Sequence, residues 1–194
     1  MTTLNYQVGQ SADDGYEKVD TTIDITGLTI GIMSSPNQWA LARFAGVAVP
    51  QGAGGDIQSA LVSFYVFSTS NDDLVADIYG EAADNAAAIS TTNGNISGRS
   101  LTASKTSVNA TAIAAGGAVW YEIDVTAQAR EIAGRTGWAS GNAMAFIVDA
   151  LSGIGFNPRS WDYGSGLGPK LTIVYEPAGD GAEVLVIGSG IMIF

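Results

Sequence analysis

Apolar residues in this chain recur at every second position, in short runs broken by glycine and proline. A period of two is the mark of a β-strand with one face buried, and a helix cannot use it. The strongest run is 57–67. Ala60, Val62, Phe64 and Val66 share one side, and Leu61, Tyr65 and Phe67 share the other. A run apolar on both sides predicts a central strand covered on both faces. Weaker alternation marks strands at 19–25, 28–32, 39–49, 74–79 and 118–123, the last carrying Trp120. Further strands are expected at 143–148, at 154–163 with Arg159 and Trp161, and at 170–176. Turn clusters separate them, among them Ser34-Ser35-Pro36-Asn37 and Pro50-Gln51-Gly52-Ala53-Gly54-Gly55-Asp56. Residues 82–117 are rich in Ala, Ser, Thr, Asn and Gly. They read as long connections with one or two short strands near 104–108.

One segment departs from this period. Val125, Ala129 and Ile132 fall at i, i+4 and i+7, with Asp124 placed to cap the start and Gly134 to supply a left-handed residue after the end. A short helix over about 125–133 follows. Eight or nine short strands with glycine-rich turns and one helix predict an all-β fold, a single jelly-roll-like β-sandwich. The 194 residues suit one domain. The expected division is an N-terminal arm at 1–18, the sandwich at 19–177, and an apolar tail at 178–194. The tail carries Val184, Leu185, Val186, Ile187, Ile191, Met192, Ile193 and Phe194. Such a segment is buried, either as an edge strand of its own domain or against another subunit.

The chain contains no histidine and no cysteine. Imidazole acid–base chemistry, thiolate nucleophiles and Cys/His zinc sites are therefore excluded. A net charge of −11 without any basic run argues against nucleic acid and against an anionic membrane surface as partners. The N-terminus has no basic or apolar stretch of a Sec signal peptide, so synthesis in the cytoplasm is expected. A glycosidase needs two carboxylates across a cleft. Asp13, Asp14, Asp72, Asp73, Glu81 and Asp84 all fall in expected turns or strand ends, where solvated carboxylates are ordinary. No catalytic residues are assigned, and no cofactor is required. Calcium is the one ion that sandwich loops would hold, with Asp84, Asn85, Asp13 and Asp14 as candidate ligands. Trp161 and Tyr163, beside the glycine-rich 164–168, are the candidate glycan contacts. Trp39 and Trp138 read as core or loop anchors. Arg43 and Glu131 look interior, so each needs a hydrogen-bonded partner, and the two are candidates for one another.

Several stretches, in order, carry a resemblance: Trp39-Ala40-Leu41-Ala42-Arg43-Phe44, Val49-Pro50-Gln51-Gly52-Ala53, Ile57-Gln58-Ser59-Ala60, Ile78 to Ala86, Asp124-Val125-Thr126, Glu131-Ile132, Gly137 to Ala143, and Pro169 to Tyr175. Over residues 38–177 the chain resembles the DNRLRE-type, carbohydrate-binding-like jelly-roll modules of bacterial and phage proteins. The resemblance implies a non-enzymatic module of surface-exposed and virion-associated proteins. With only 14% charged residues and an apolar tail, the expected role is a structural subunit of a phage virion. Head-surface or capsid decoration is its expected form, in contact with coat subunits and as a homo-oligomer. The alternatives are a glycan-binding or adhesion module and a self-polymerising extracellular fibre subunit.

Overall fold

The computed structural model describes residues 1–30, 38–67, 73–111, 118–153, 155–164 and 166–176. The strands are β1 (Thr2–Gln7), β2 (Asp14–Glu17), β3 (Ile23–Asp24), β4 (Trp39–Phe44), β5 (Ile57–Val66), β6 (Leu74–Glu81), β7 (Leu101–Ala110), β8 (Val119–Asp124), β9 (Met144–Ser152) and β10 (Lys170–Tyr175). One helix, α1 (Thr126–Ala133), lies between β8 and β9. The strands form two sheets, one in the order β1-β10-β5-β8 and the other β3-β2-β4-β9-β6-β7. Every pairing is antiparallel. The chain is the all-β sandwich with one helix that its periodicity predicts, and the described residues form ten strands where eight or nine are expected.

The two-residue period places the core. Ala60, Val62, Phe64 and Val66 of β5 face Ala40, Ala42 and Phe44 of β4 and Met144, Phe146 and Val148 of β9, and Leu171 and Ile173 of β10 join them. Each large side chain fully withdrawn from water contributes about 1.5–3 kcal/mol. Helix α1 adds Ala129, Ile132 and Ala133 to the same core. Trp138 is 1% exposed, and its Nε1 donates to Val49 O at 2.9 Å.

A second apolar layer covers the outer face of the six-stranded sheet. Leu41, Ala145 and Ile147 point away from the main core and pack under Ala86, Ile89 and Ile96, with Trp39 and Ile23 at the margin. Residues 82–100, expected as connection, thus form a lid of coil. Two side chains hold it down. Glu17 accepts from the amides of Ile96 and Ser97 at 2.9 Å and from Ser97 Oγ. Arg99 donates to Glu81, to the carbonyls of Ala87, Ala88 and Asn95, and to Asn95 Oδ1.

Several expectations are corrected. The 1–18 arm is not a separate piece. Thr2–Gln7 pairs with β10 along its whole length, and Leu4 and Tyr6 pack on the core. The strand at 19–25 shrinks to Ile23–Asp24, because Lys18 and Thr22 close a turn around Thr21, whose φ is +67°. The strand at 39–49 ends at Phe44. Covering on both faces belongs to β9 and β4 rather than β5, whose outer face is half-buried under Trp120. One ten-residue strand, β7, replaces the short strands near 104–108. The 154–163 strand reduces to isolated bridges at Phe156 and Pro158, followed by a 3-10 turn at Trp161–Tyr163. Gly134 closes α1 with φ −77°, a right-handed residue, and donates to Arg130 O. Asp124 does satisfy the helix start, accepting from Thr126 N at 2.8 Å.

Arg43 and Glu131 are not partners of one another. Arg43 pairs with Asp13 and donates to Ala86 O. Glu131 accepts the backbone amides of Ala103 and Ser104 on β7 at 2.8 and 2.9 Å. The tail residues Val184, Leu185, Val186, Ile187, Ile191, Met192, Ile193 and Phe194 lie outside the described residues. No helix among the described residues is long and apolar enough to cross a membrane.

Candidate functional site

Trp161 and Tyr163 are 42% and 54% exposed, unusual for side chains of their size in a chain with this much core. They sit on the 3-10 turn that precedes β10. Two groups from elsewhere in the chain fix that turn. Asp14, the first residue of β2, accepts from Trp161 N at 2.9 Å. Ser11 Oγ donates to Asp162 at 2.7 Å. Ser160, fully buried, begins the turn, and Gly164 at φ +66° ends it. Only glycine adopts that backbone conformation without strain.

A cleft of about 430 Å³ opens beside the turn, lined by Gln7, Val8, Trp161, Asp162, Gly164, Gly166 and Gly168. Gly168 has to be glycine, because a Cβ there would lie 2.8 Å from Val8 and 3.2 Å from the Trp161 backbone. Gln7 Nε2 donates to Gly168 O at 2.9 Å and ties the wall to β1. A second cleft of about 380 Å³ lies on the Tyr163 side, lined by Tyr16, Asp24, Leu28, Thr29, Phe67, Asn157 and Pro158 among others. Arg159 packs there against both Phe67 and Tyr163, its guanidinium carbon 3.6 and 4.0 Å from their ring centres. Stacked in this way, the three side chains form a stiff rim.

The carboxylates behind the first cleft are not solvated turn residues, contrary to expectation. Asp13 and Asp14 are buried at 3% and 0% exposure. Asp13 is paired with Arg43 and accepts from Gly9 N. Asp14 is held by a single hydrogen bond, and no described group reaches its Oδ1. Burial pushes its carboxyl up to about 7; the Trp161 amide counters this, and the charges of Asp162 and Asp13 add to it. Asp14 lies behind the Trp161 backbone and is not among the residues that line either cleft. Asp162 alone among the described carboxylates lines the first cleft, and Asp24 alone the second. Neither cleft holds the facing carboxylate pair of a glycosidase.

Each of the calcium candidates is engaged by a group of the protein, Asp13 by Arg43 and Asp14 by the Trp161 amide. Asp84 accepts from Arg135 Nε at 2.6 Å and Asn85 Oδ1 from Ala143 N at 2.9 Å, which pins the lid to the start of β9. Arg43 links the two pairs, donating to Asp13 and to the carbonyl of Ala86, the residue after Asn85. No group of three or more metal-ligating side chains occurs among the described residues. Trp39 and Trp138 pack in the outer apolar layer and the main core. The sequence does not single out Gln7 or the second cleft. Gln7 fell in an expected arm, and Phe67 and Tyr163 lie far apart in the chain.

No family model matches this chain, so the DNRLRE-type resemblance is not shown. No curated protein matches it either. Among solved structures, the CBM35 module of Cellvibrio japonicus Abf62 aligns with a TM-score of 0.36 and 10% identity, over 89% of this chain and 93% of its own. A family 35 carbohydrate-binding module from Clostridium thermocellum aligns at 0.33 and 9%, over 91% and 100%. CBM35 from Paenibacillus barcinonensis aligns at 0.30 and 11%, over 91% and 100%. Agreement at this level is too loose to transfer a site from those modules to this chain.

Proposed function

We propose that this protein is a non-catalytic glycan-binding module and that the Trp161–Tyr163 turn is its binding element. The observation that carries the reading is a half-exposed Trp161, fixed from behind by Asp14, at the lip of a cleft walled by glycine backbone. Sugar rings offer one apolar face and a rim of hydroxyls. An aromatic platform takes the first, and Asp162, Gln7 and free backbone groups take the second. A platform that is already rigid loses little entropy on binding. The same reading is compatible with the virion setting expected from the sequence, where adhesion to a host glycan is a surface function. The proposed virion contacts through coat subunits rest on the tail beyond the described residues.

The test is affinity electrophoresis through gels containing hydroxyethylcellulose, arabinoxylan, galactomannan or alginate. At least one polymer should retard the protein, and Trp161→Ala should weaken that binding tenfold or more, about 1.4 kcal/mol. Free migration through all four gels, or equal retardation of the variant, refutes the proposal.

A further inference from the structure

The Trp161–Tyr163 turn separates the two clefts rather than closing one of them. Trp161 and Asp162 line the first, and Tyr163 lines the second. At about 430 and 380 Å³, each lies near the lower end of the range for ligand clefts, roughly 300–1,000 Å³, with room for about one or two sugar rings. Both are open at the surface, and each carries an exposed aromatic: Trp161 on one side, Phe67 and Tyr163 on the other. A site for a chain end would need a wall that stops the chain. Here two half-sites stand on either side of a single aromatic ridge.

Acidic groups line both walls, and one lysine stands beside the second, Lys18 Nζ lying 3.9 Å from Asp24. Asp162 faces the first cleft and Asp24 the second, with Tyr16 donating to Asp24. Arg159 stands on the ridge, its guanidinium packed against the rings of Phe67 and Tyr163. Neither cleft is lined by a lysine or arginine. The whole chain carries −11, which repels a polyanion at long range as well.

From this arrangement, and resting on the glycan-binding reading, we infer that the two clefts form one continuous site for the interior of an uncharged polysaccharide chain that crosses the Trp161–Tyr163 ridge. Asp162 and Asp24 accept hydrogen bonds from sugar hydroxyls on either side. Trp161 supplies a stacking face on one flank, and Tyr163 and Phe67 on the other supply the ring faces that Arg159 leaves uncovered.

The experiment is isothermal titration calorimetry with cello-, xylo- and manno-oligosaccharides of two and six residues, and with hexagalacturonate. The hexaose of one neutral series should bind at least tenfold more tightly than its disaccharide, and hexagalacturonate should bind more weakly than that hexaose. Tyr163→Ala and, independently, Phe67→Ala should each lower hexaose affinity tenfold or more. Both side chains are surface-exposed, and circular dichroism checks that the sandwich is retained. Equal affinity for the two chain lengths, or hexaose binding that depends on Trp161 but not on Tyr163 or Phe67, would reduce the site to one cleft and overturn the inference alone. Preference for hexagalacturonate would overturn its charge argument. Absence of binding to every sugar removes the glycan reading together with the inference.

Discussion

Asp14 makes the stability of this protein depend on pH in the direction opposite to that of most carboxylates. In the unfolded chain its carboxyl titrates near 3.8, and in the fold near 7. Between those values the folded state holds a proton that the unfolded state releases, so stability falls as pH rises. The slope is about 1.4 kcal/mol per pH unit, and across the window the loss is on the order of 4 kcal/mol. Above about pH 7 the loss is complete and the slope from this group vanishes. The physical origin is a buried carboxyl with one unpartnered oxygen, close to the charges of Asp162 and Asp13. Asp14→Asn removes the titration. The amide oxygen still accepts from Trp161 N, and the amide nitrogen takes the place of the protonated oxygen. Urea unfolding at pH 5, 6, 7 and 8 is the assay. Measured against a variant that matches the protonated acid, wild type should already be less stable by about 1.6 kcal/mol at pH 5, and by pH 8 the variant should be the more stable by about 4 kcal/mol. Parallel pH profiles, or a variant less stable than wild type at pH 8, would refute the account of Asp14.

Three further outcomes are expected. Arg99→Ala leaves Glu81 nearly buried and unpaired and frees the lid carbonyls, a loss of about 3–5 kcal/mol by the measure of broken buried pairs; limited proteolysis should then cut within residues 86–98 before the strands. Glu131→Ala releases the amides of Ala103 and Ser104, at about 1–3 kcal/mol, and hydrogen exchange at those two amides should rise more than at the rest of β7. Below about pH 4.5 the carboxyl of Glu131, held low by the Ser104 and Ala103 amides despite its burial, adds a second pH limb of opposite sign. Stability conferred by that carboxylate is lost as pH falls through its folded value, and Glu131→Gln should flatten this limb in acid unfolding curves.

The strands that could be read in the sequence are those whose inward positions are all apolar. β5 and β10 bury Val, Phe, Ile and Leu on alternate positions and β9 buries a continuous apolar run, and both patterns survive without any knowledge of neighbours. β7 was nearly hidden because it meets α1 through polar groups. Thr102 donates to Ser104 O and accepts from Gly80 N, and Gln128 Nε2 reaches Thr106. Its inward side is satisfied by hydrogen bonds, and hydrophobic period carries no record of those. β1 was missed for a related reason. Only Leu4 and Tyr6 mark its inner side, and the strand forms because β10 is there to pair with it. The site was half visible. Exposed Trp161 and Tyr163 beside glycines could be picked out locally, whereas the support from Asp14 spans 147 residues of sequence. The burial of Asp13 and Asp14 follows from that long-range packing, which no local turn signal reports.

The carboxylate of Glu131 has one more consequence. In the six-stranded sheet, β7 is a ten-residue border with a row of main-chain groups facing outward. Long open borders of this kind are where separate molecules zip together. Glu131 occupies two adjacent donors there, as the carbonyls of an incoming strand would, and Thr106 Oγ1 reaches across to Asp124 O. At that stretch the border is already taken, so a strand shared along residues 103–104 of β7 has first to displace the Glu131 carboxylate.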